Sequence, residues 1–131
     1  MNSLVVDDEM TVRMLMQKLL SQYGNCDAAA NGHEALQAFL NSVQTNQLYD
    51  LICLDIKMPV MDGKEVLKHI KAIEKKAKIS ENKRAKIFMV SALDDSQVIL
   101  ETVVKLGCSS YILKPINKIQ LIARLKEFKL I

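Results

Sequence analysis

Glycine is scarce in this chain, with four among 131 residues and none gathered into a Gly-rich loop. That excludes a P-loop nucleotide switch in its usual form, which needs such a loop to wrap phosphates in backbone N–H groups. Cysteine is scarcer still. Cys26, Cys53 and Cys108 are odd in number and lack metal-ligand spacing, so they read as reduced thiols of a cytoplasmic protein. No apolar run approaches the length of a membrane span. The apolar start is broken at once by Asp7, Asp8 and Glu9, unlike a signal peptide, and a membrane partner is not expected. Aromatic residues number six, and none falls among the lysines of residues 64–86. That weakens a single-stranded nucleic-acid reading, because such binding stacks bases on aromatic rings.

What is present suits one soluble domain with a real core: half the residues are hydrophobic and a quarter charged. The net charge of +3 is unevenly placed. Residues 64–86 hold nine Lys/Arg against three Glu, so that segment is +6 and the remainder −3. The +6 stretch reads as a solvated helix and loop, and docking to an acidic partner or to nucleic acid is the sharper alternative.

Strand-like and helix-like patterns alternate. Short apolar runs at 3–6, 26–30, 50–55, 86–91 and 109–113 read as strands. Residues 10–23 carry Val12, Leu15, Met16, Leu19, Leu20 and Tyr23 at helical spacing. Further helices are expected after Asn31-Gly32 (Leu36, Phe39, Leu40, Val43) and after Gly63 (Val66, Leu67, Ile70, Ile73). Two more are expected at 95–106 and at 117–129, the last with Ile119, Ile122, Leu125 and Phe128 inward. The apolar band Val98, Ile99, Leu100, Val103, Val104 and Leu106 should be mostly core, with its edge a candidate partner strip. Five βα units imply an α/β, doubly wound, five-stranded parallel sheet with five helices. The expectation is a single domain over residues 1–131 with no output domain attached.

In such folds ligands bind beyond the carboxyl ends of the strands. Asp7 and Asp8 follow the first strand, Asp55 follows the third, Ser91 and Ala92 end the fourth, and Lys114-Pro115 follow the fifth. Adjacent carboxylates raise each other's pKa unless a cation neutralises them. Three acids with room for water suit a hard cation such as Mg²⁺. A carboxylate can accept a phosphoryl group as an acyl phosphate. An ammonium and a hydroxyl can hold its oxygens. With strand order 2-1-3-4-5 these groups can meet, and Asp55 is the best-placed nucleophile.

Four motifs now stand in order: Leu-Val-Val-Asp-Asp (4–8), Leu-Asp-Ile-Lys-Met-Pro-Val-Met-Asp-Gly (54–63), Ser-Ala (91–92) and Tyr-Ile-Leu-Lys-Pro (111–115). With them the chain resembles the receiver domains of two-component response regulators, most closely the single-domain chemotaxis type with its flavodoxin-like fold. The resemblance implies Asp55 as phosphoacceptor. It implies Asp8 as a direct Mg²⁺ ligand, Asp7 as one acting largely through water, and the backbone carbonyl of Lys57 as completing the site. It implies phosphoryl contacts from Ser91, the Ala92 backbone and Lys114, a switch made of Ser91 and Tyr111, and a cis bond at Pro115. It further implies a histidine kinase or histidine phosphotransfer domain as donor, and a downstream protein reached through the surface of helix 4, strand 5 and helix 5. That target could be a flagellar motor switch, a relay partner or an enzyme. Such a protein is no enzyme beyond its own phosphorylation and dephosphorylation. Lys57 departs from the common pattern beside the phosphorylation site and bears on phosphoryl lifetime. The Lys-rich stretch 75–86 is longer than usual.

Two rival functions were weighed. A phosphatase of the haloacid-dehalogenase type needs Asp-x-Asp after strand 1, and residues 7–9 read Asp-Asp-Glu. A pseudo-receiver should lack a site residue, and all five are present. Asp62-Gly63 reads as turn chemistry. Met10, Met14 and Met16 read as core and surface residues, and His33 and His69 as surface residues.

Overall fold

A computed structural model of the chain describes residues 1–92 and 95–131. Five strands, β1 (Ser3–Val6), β2 (Cys26–Ala29), β3 (Leu51–Leu54), β4 (Lys86–Ser91) and β5 (Ser110–Leu113), form one sheet in the order β2-β1-β3-β4-β5. All four pairings are parallel, with Val6 level with Leu54 and Leu54 level with Met89. The helices are α1 (Met10–Leu20), α2 (Gly32–Gln44), α3 (Gly63–Lys76), α4 (Ser96–Leu100) and α5 (Lys118–Glu127). The doubly wound architecture expected from the alternating pattern is therefore the one observed.

Strand residues alternate between two cores, as a pleated sheet requires. Leu4, Val6, Ile52, Leu54, Ile87 and Met89 face α2 and α3 with Ala35, Phe39, Val66, Leu67 and Ile70. Val5, Cys53, Phe88, Val90 and Ile112 face α1 and α5 with Met16, Leu20, Leu121 and Leu125. Both faces are covered, so the strands carry near-continuous apolar runs. Phe88 and Phe128 meet at 5.3 Å in a tilted pair that closes the second core. All three cysteines are buried and free, and no helix among the described residues is long and apolar enough to cross a membrane.

Local chemistry sets the helix starts. Asn31, Asp62, Asp95 and Asn117 each accept a backbone N–H of the first turn, satisfying one of the donors a helix start leaves open. Asp62 is thus a helix cap rather than a turn residue. Ends are tighter than the patterns imply. α1 stops at Leu20 and a 3₁₀ turn, Ser21–Tyr23, completes the stretch.

Helix faces differ from the expected ones in four places. Leu15 and Leu40 are exposed although they sit on apolar spacings. Ile119 is 80 % exposed, and Leu121 takes the inward position. The band at 95–106 is mostly surface: Leu100, Val103 and Val104 face solvent, while Thr102 is fully buried. The cause is a change of winding, since α4 continues as a π-helical segment, Glu101–Lys105, which rotates later residues relative to a 3.6-residue repeat. Thr102 satisfies its hydroxyl on the carbonyls of Val98 and Ile99. Met10, Met14, His33 and His69 are exposed, and Met16 is core.

Candidate functional site

Every strand of the sheet's centre delivers a polar residue just past its carboxyl end, because the buried apolar run stops there. Asp7 N–H donates to Ala29 O at 3.2 Å and Asp55 N–H to Val6 O at 3.0 Å, so the sheet's ladder fixes both backbones. Asp7, Asp8 and Asp55 each offer a carboxylate oxygen within 4.8 Å of the others, a spread that one divalent cation can gather. Asp7 and Asp55 are buried, whereas Asp8 is exposed. It lines an open cleft of about 490 Å³ with Ile56, Lys57, Met58, Pro59, Asp62 and Lys64. The Lys57 side chain stands in solvent.

Lys114 is the internal counterion. Its Nζ lies 3.0 Å from Asp7 Oδ2, 3.5 Å from Asp55 Oδ2 and 3.5 Å from Glu9 Oε1, with 12 % of its side chain exposed. Burial works against the ammonium. The hydrogen bond that Lys114 donates to Asp7 and the charges of Asp55, Asp7 and Glu9 outweigh it, so the Lys114 pKa rises. Asp55 is pushed up to about 6, first by burial and then by the Asp7 charge, and Lys114 only partly offsets this. The repulsion that matters to Asp55 therefore comes chiefly from Asp7, ahead of Asp8.

The Lys114–Pro115 peptide bond is cis, and Lys114 N–H donates to Ser91 O at 2.9 Å. Ser91 is buried at the end of β4, and Ala92 beside it is exposed. Tyr111 packs against the first core, and its phenol shares a hydrogen bond with the Ser91 side chain. Burial raises the Tyr111 pKa and that hydrogen bond opposes the rise. Asp7, Asp8, Asp55, Lys57, Ser91, Ala92 and Lys114 thus lie at one end of the sheet, with Tyr111 further back in β5, level with Met89.

Five residues take supporting roles that the sequence pattern does not assign. Arg13 Nη1 donates to Asp7 O at 2.7 Å, bracing the acidic loop from α1. Glu9 shares Lys114, although its place in an Asp-Asp-Glu run was a visible signal. Gly63 admits no side chain, because a Cβ there would collide with the backbone carbonyl of Asp55. Gly63 N–H also donates to Ile56 O at 2.8 Å, so α3 begins directly against the Asp55 segment. Lys64 pairs with Glu101 at 3.1 Å and ties α3 to the π-helical segment. Nothing in the spacing of Lys64 and Glu101 could have paired them.

Comparison with known proteins agrees with this geometry. The family model described as "Response regulator receiver domain" matches residues 3–126. A probable transcriptional regulator of Cyanidium caldarium, ycf27, is 36 % identical over 127 residues, covering 95 % of this chain and 44 % of that protein. The chain thus spans less than half the length of that relative. Sporulation initiation phosphotransferase F of Bacillus subtilis is 33 % identical over 115 residues, covering 87 % of this chain and 82 % of that protein. Among solved structures, the receiver domain of the histidine kinase CKI1 from Arabidopsis thaliana, complexed with Mg²⁺ and BeF3⁻, superposes with a TM-score of 0.85 at 25 % identity. The match covers 99 % of this chain and 90 % of that one.

Proposed function

Because the chain belongs to the response regulator receiver domain family of two-component signalling, we propose that it is a phosphorylatable switch whose acceptor is Asp55. The observation that carries this reading is the convergence of three carboxylates within 4.8 Å, with Lys114 held among them. A phosphohistidine on a histidine kinase or phosphotransfer domain is the donor. A carboxylate oxygen of Asp55 forms the new P–O bond while the P–N bond to the donor imidazole breaks, and the electron pair leaves with the nitrogen.

Asp7, Asp8, Asp55 and the Lys57 carbonyl would hold Mg²⁺, and their oxygen-only donor set fits such an ion. When bound, that ion supplies positive charge against which carboxylate and phosphoryl oxygens can approach. Lys114 neutralises a phosphoryl oxygen after leaving Asp7, so its present ion pair is a resting-state partner. Ser91 donates to another oxygen and gives up its hydrogen bond with Tyr111. Tyr111 and the α4–β5–α5 surface then settle into the arrangement that a downstream protein reads. This is a population shift, driven by the phosphoryl group's stronger interaction with one state. Beyond this self-directed chemistry the protein is no enzyme.

The test is labelling by acetyl phosphate or phosphoramidate with Mg²⁺. Wild type should take up one phosphoryl group per chain. Asp55→Asn, or wild type in EDTA, should take up none. Full labelling of Asp55→Asn would sink the assignment.

A further inference from the structure

The opposite end of the sheet holds a second charged site that the switch does not use. The Lys-rich stretch ends where β4 begins, and there a cavity of about 350 Å³ opens between α3, the amino ends of β4 and β5, and the end of the π-helical segment. Lys71, Arg84, Lys86 and Lys105 line it, and Glu81 is the one acid on its wall among the described residues. The four cations come from three separate parts of the chain, so the cluster is made by the fold rather than by a run of sequence.

The pairing of these cations is incomplete. Arg84 reaches Glu81 only at 3.7 Å, and that carboxylate is almost fully in solvent. Lys71 lies 4.0 Å from Glu74, a buried acid whose other oxygen accepts Ala85 N–H at 3.0 Å. Neither Lys86 nor Lys105 has an ion-pair partner among the described residues. Gathering unpaired cations around one cavity adds repulsion to the folded state. An anion seated there relieves it.

The walls are also polar and partly fixed. Arg84 Nε is anchored on Ile79 O at 3.0 Å, which fixes the guanidinium at the cavity wall, where its only carboxylate contact among the described residues is the long one to the exposed Glu81. The Ser109 hydroxyl accepts Ile87 N–H at 3.1 Å, and a hydroxyl that accepts one bond still has a proton to donate. Gly107 sits at φ 73° with open space where a Cβ would be, so the backbone leaves the mouth clear. No aromatic ring lines the cavity, so nothing there would stack on a base.

The geometry points to an anion site for a small ligand carrying two or more linked phosphate groups, held by Lys71, Arg84, Lys86 and Lys105 and independent of phosphorylation at Asp55. The concave shape and the lack of aromatics favour a compact polyphosphate over a nucleic-acid strand. The cavity volume lies at the lower end of the range for small-molecule sites.

The test titrates the intact chain with pyrophosphate in metal-free buffer, against sulfate at equal ionic strength, with amide NMR shifts as the map. Expected are one pyrophosphate per chain, bound at least about tenfold more tightly than sulfate, and shifts centred on residues 84–86 and 105–109. Lys86→Gln/Lys105→Gln and, separately, Lys105→Glu should each weaken binding on the order of tenfold with an unchanged fold by circular dichroism. Equal affinity for sulfate would mean an adventitious ion only and would overturn the proposal. So would shifts centred on Asp55 and Lys114, undiminished binding in both variants, or binding of duplex nucleic acid without binding of pyrophosphate.

Discussion

The two ends of this sheet handle charge in opposite ways. At the carboxyl end, acids crowd together and one buried lysine, Lys114, holds Asp7 and Asp55 at 3.0 and 3.5 Å. At the amino end, lysines and an arginine crowd around a cavity whose one lining acid among the described residues is a solvent-exposed glutamate. The first cluster carries its own counterion, braced by Arg13 and Gly63. The second is paired only in part, through long contacts of Arg84 with Glu81 and of Lys71 with Glu74. Repulsion stored inside a fold must be met by a counterion, and the position of that counterion tells a switch site from an open receptor. If the proposed switch holds, the internal ammonium at the acidic end is the group that trades its carboxylate partner for a phosphoryl oxygen.

Breaking the internal counterion should have the largest effect. Lys114→Met leaves the buried Asp7 and Asp55 without an ion-pair partner among the described residues, although Asp7 Oδ1 still accepts the Glu9 N–H. Removing one member of a buried pair costs about 3–5 kcal/mol, and the lysine's partial exposure brings the expected loss to about 2–4 kcal/mol. Urea unfolding at neutral pH should show it, with Mg²⁺ restoring part of the loss. An unchanged midpoint would mean that the acids do not depend on Lys114.

Removing the acid that suffers the repulsion should have the opposite sign. The folded-state pKa of Asp55, about 6, lies above its ordinary value of 3.8. The fold therefore favours the protonated acid, and stability falls as pH rises through that window and stays low above it. At about 1.4 kcal/mol per pKa unit, Asp55→Asn should stabilise the metal-free protein by about 2–3 kcal/mol at pH 7.5. It should also flatten the slope between pH 4 and 6. Equal stability of wild type and variant at pH 7.5 would contradict the repulsion.

A smaller loss is expected where backbone meets backbone. Gly63→Ala puts a methyl against the Asp55 carbonyl, and overpacking of this kind costs about 1–3 kcal/mol. The same shift should displace Asp55 and weaken Mg²⁺ binding by tryptophan-free methods such as calorimetry. Full Mg²⁺ affinity in that variant would remove Gly63 from the site's support.

The smallest effects separate the two ends. Asp8→Asn should weaken Mg²⁺ binding sharply, yet raise metal-free stability only slightly, within about 0.5 kcal/mol, because Asp8 is exposed. Lys86→Gln/Lys105→Gln should leave Mg²⁺ affinity unchanged. Clear destabilisation by Asp8→Asn without metal, or altered Mg²⁺ binding in the lysine variant, would join what the comparison keeps apart.

The carboxyl end was largely legible in the sequence. Apolar runs that stop abruptly at Asp7, Asp55, Ser91 and Lys114 place those residues at strand ends, and parallel order brings them together. The partners were less visible. A strand-end rule says that Lys114 is near the acids, but not that burial and Asp7 raise Asp55 while Asp8 points outward. Helix periodicity failed at Leu15 and Leu40, which lie at the margin of the buried stripe, and at Ile119, which lies on the outer face of α5 away from Leu121 and Leu125. It failed more widely after Ser96, where the π-helical winding breaks the 3.6-residue repeat. The basic cavity was visible only as composition. Its lysines join Gly107 and Ser109 through tertiary contact, which no local pattern encodes.

Asp55 as the acceptor is the central claim about this site. The most direct measurement treats the protein with acetyl phosphate and Mg²⁺, reduces the acyl phosphate with borohydride and maps the peptides. The reduction should convert Asp55, and no other acid, to homoserine. Conversion at Asp7, Asp8 or another acid with Asp55 intact would contradict the account.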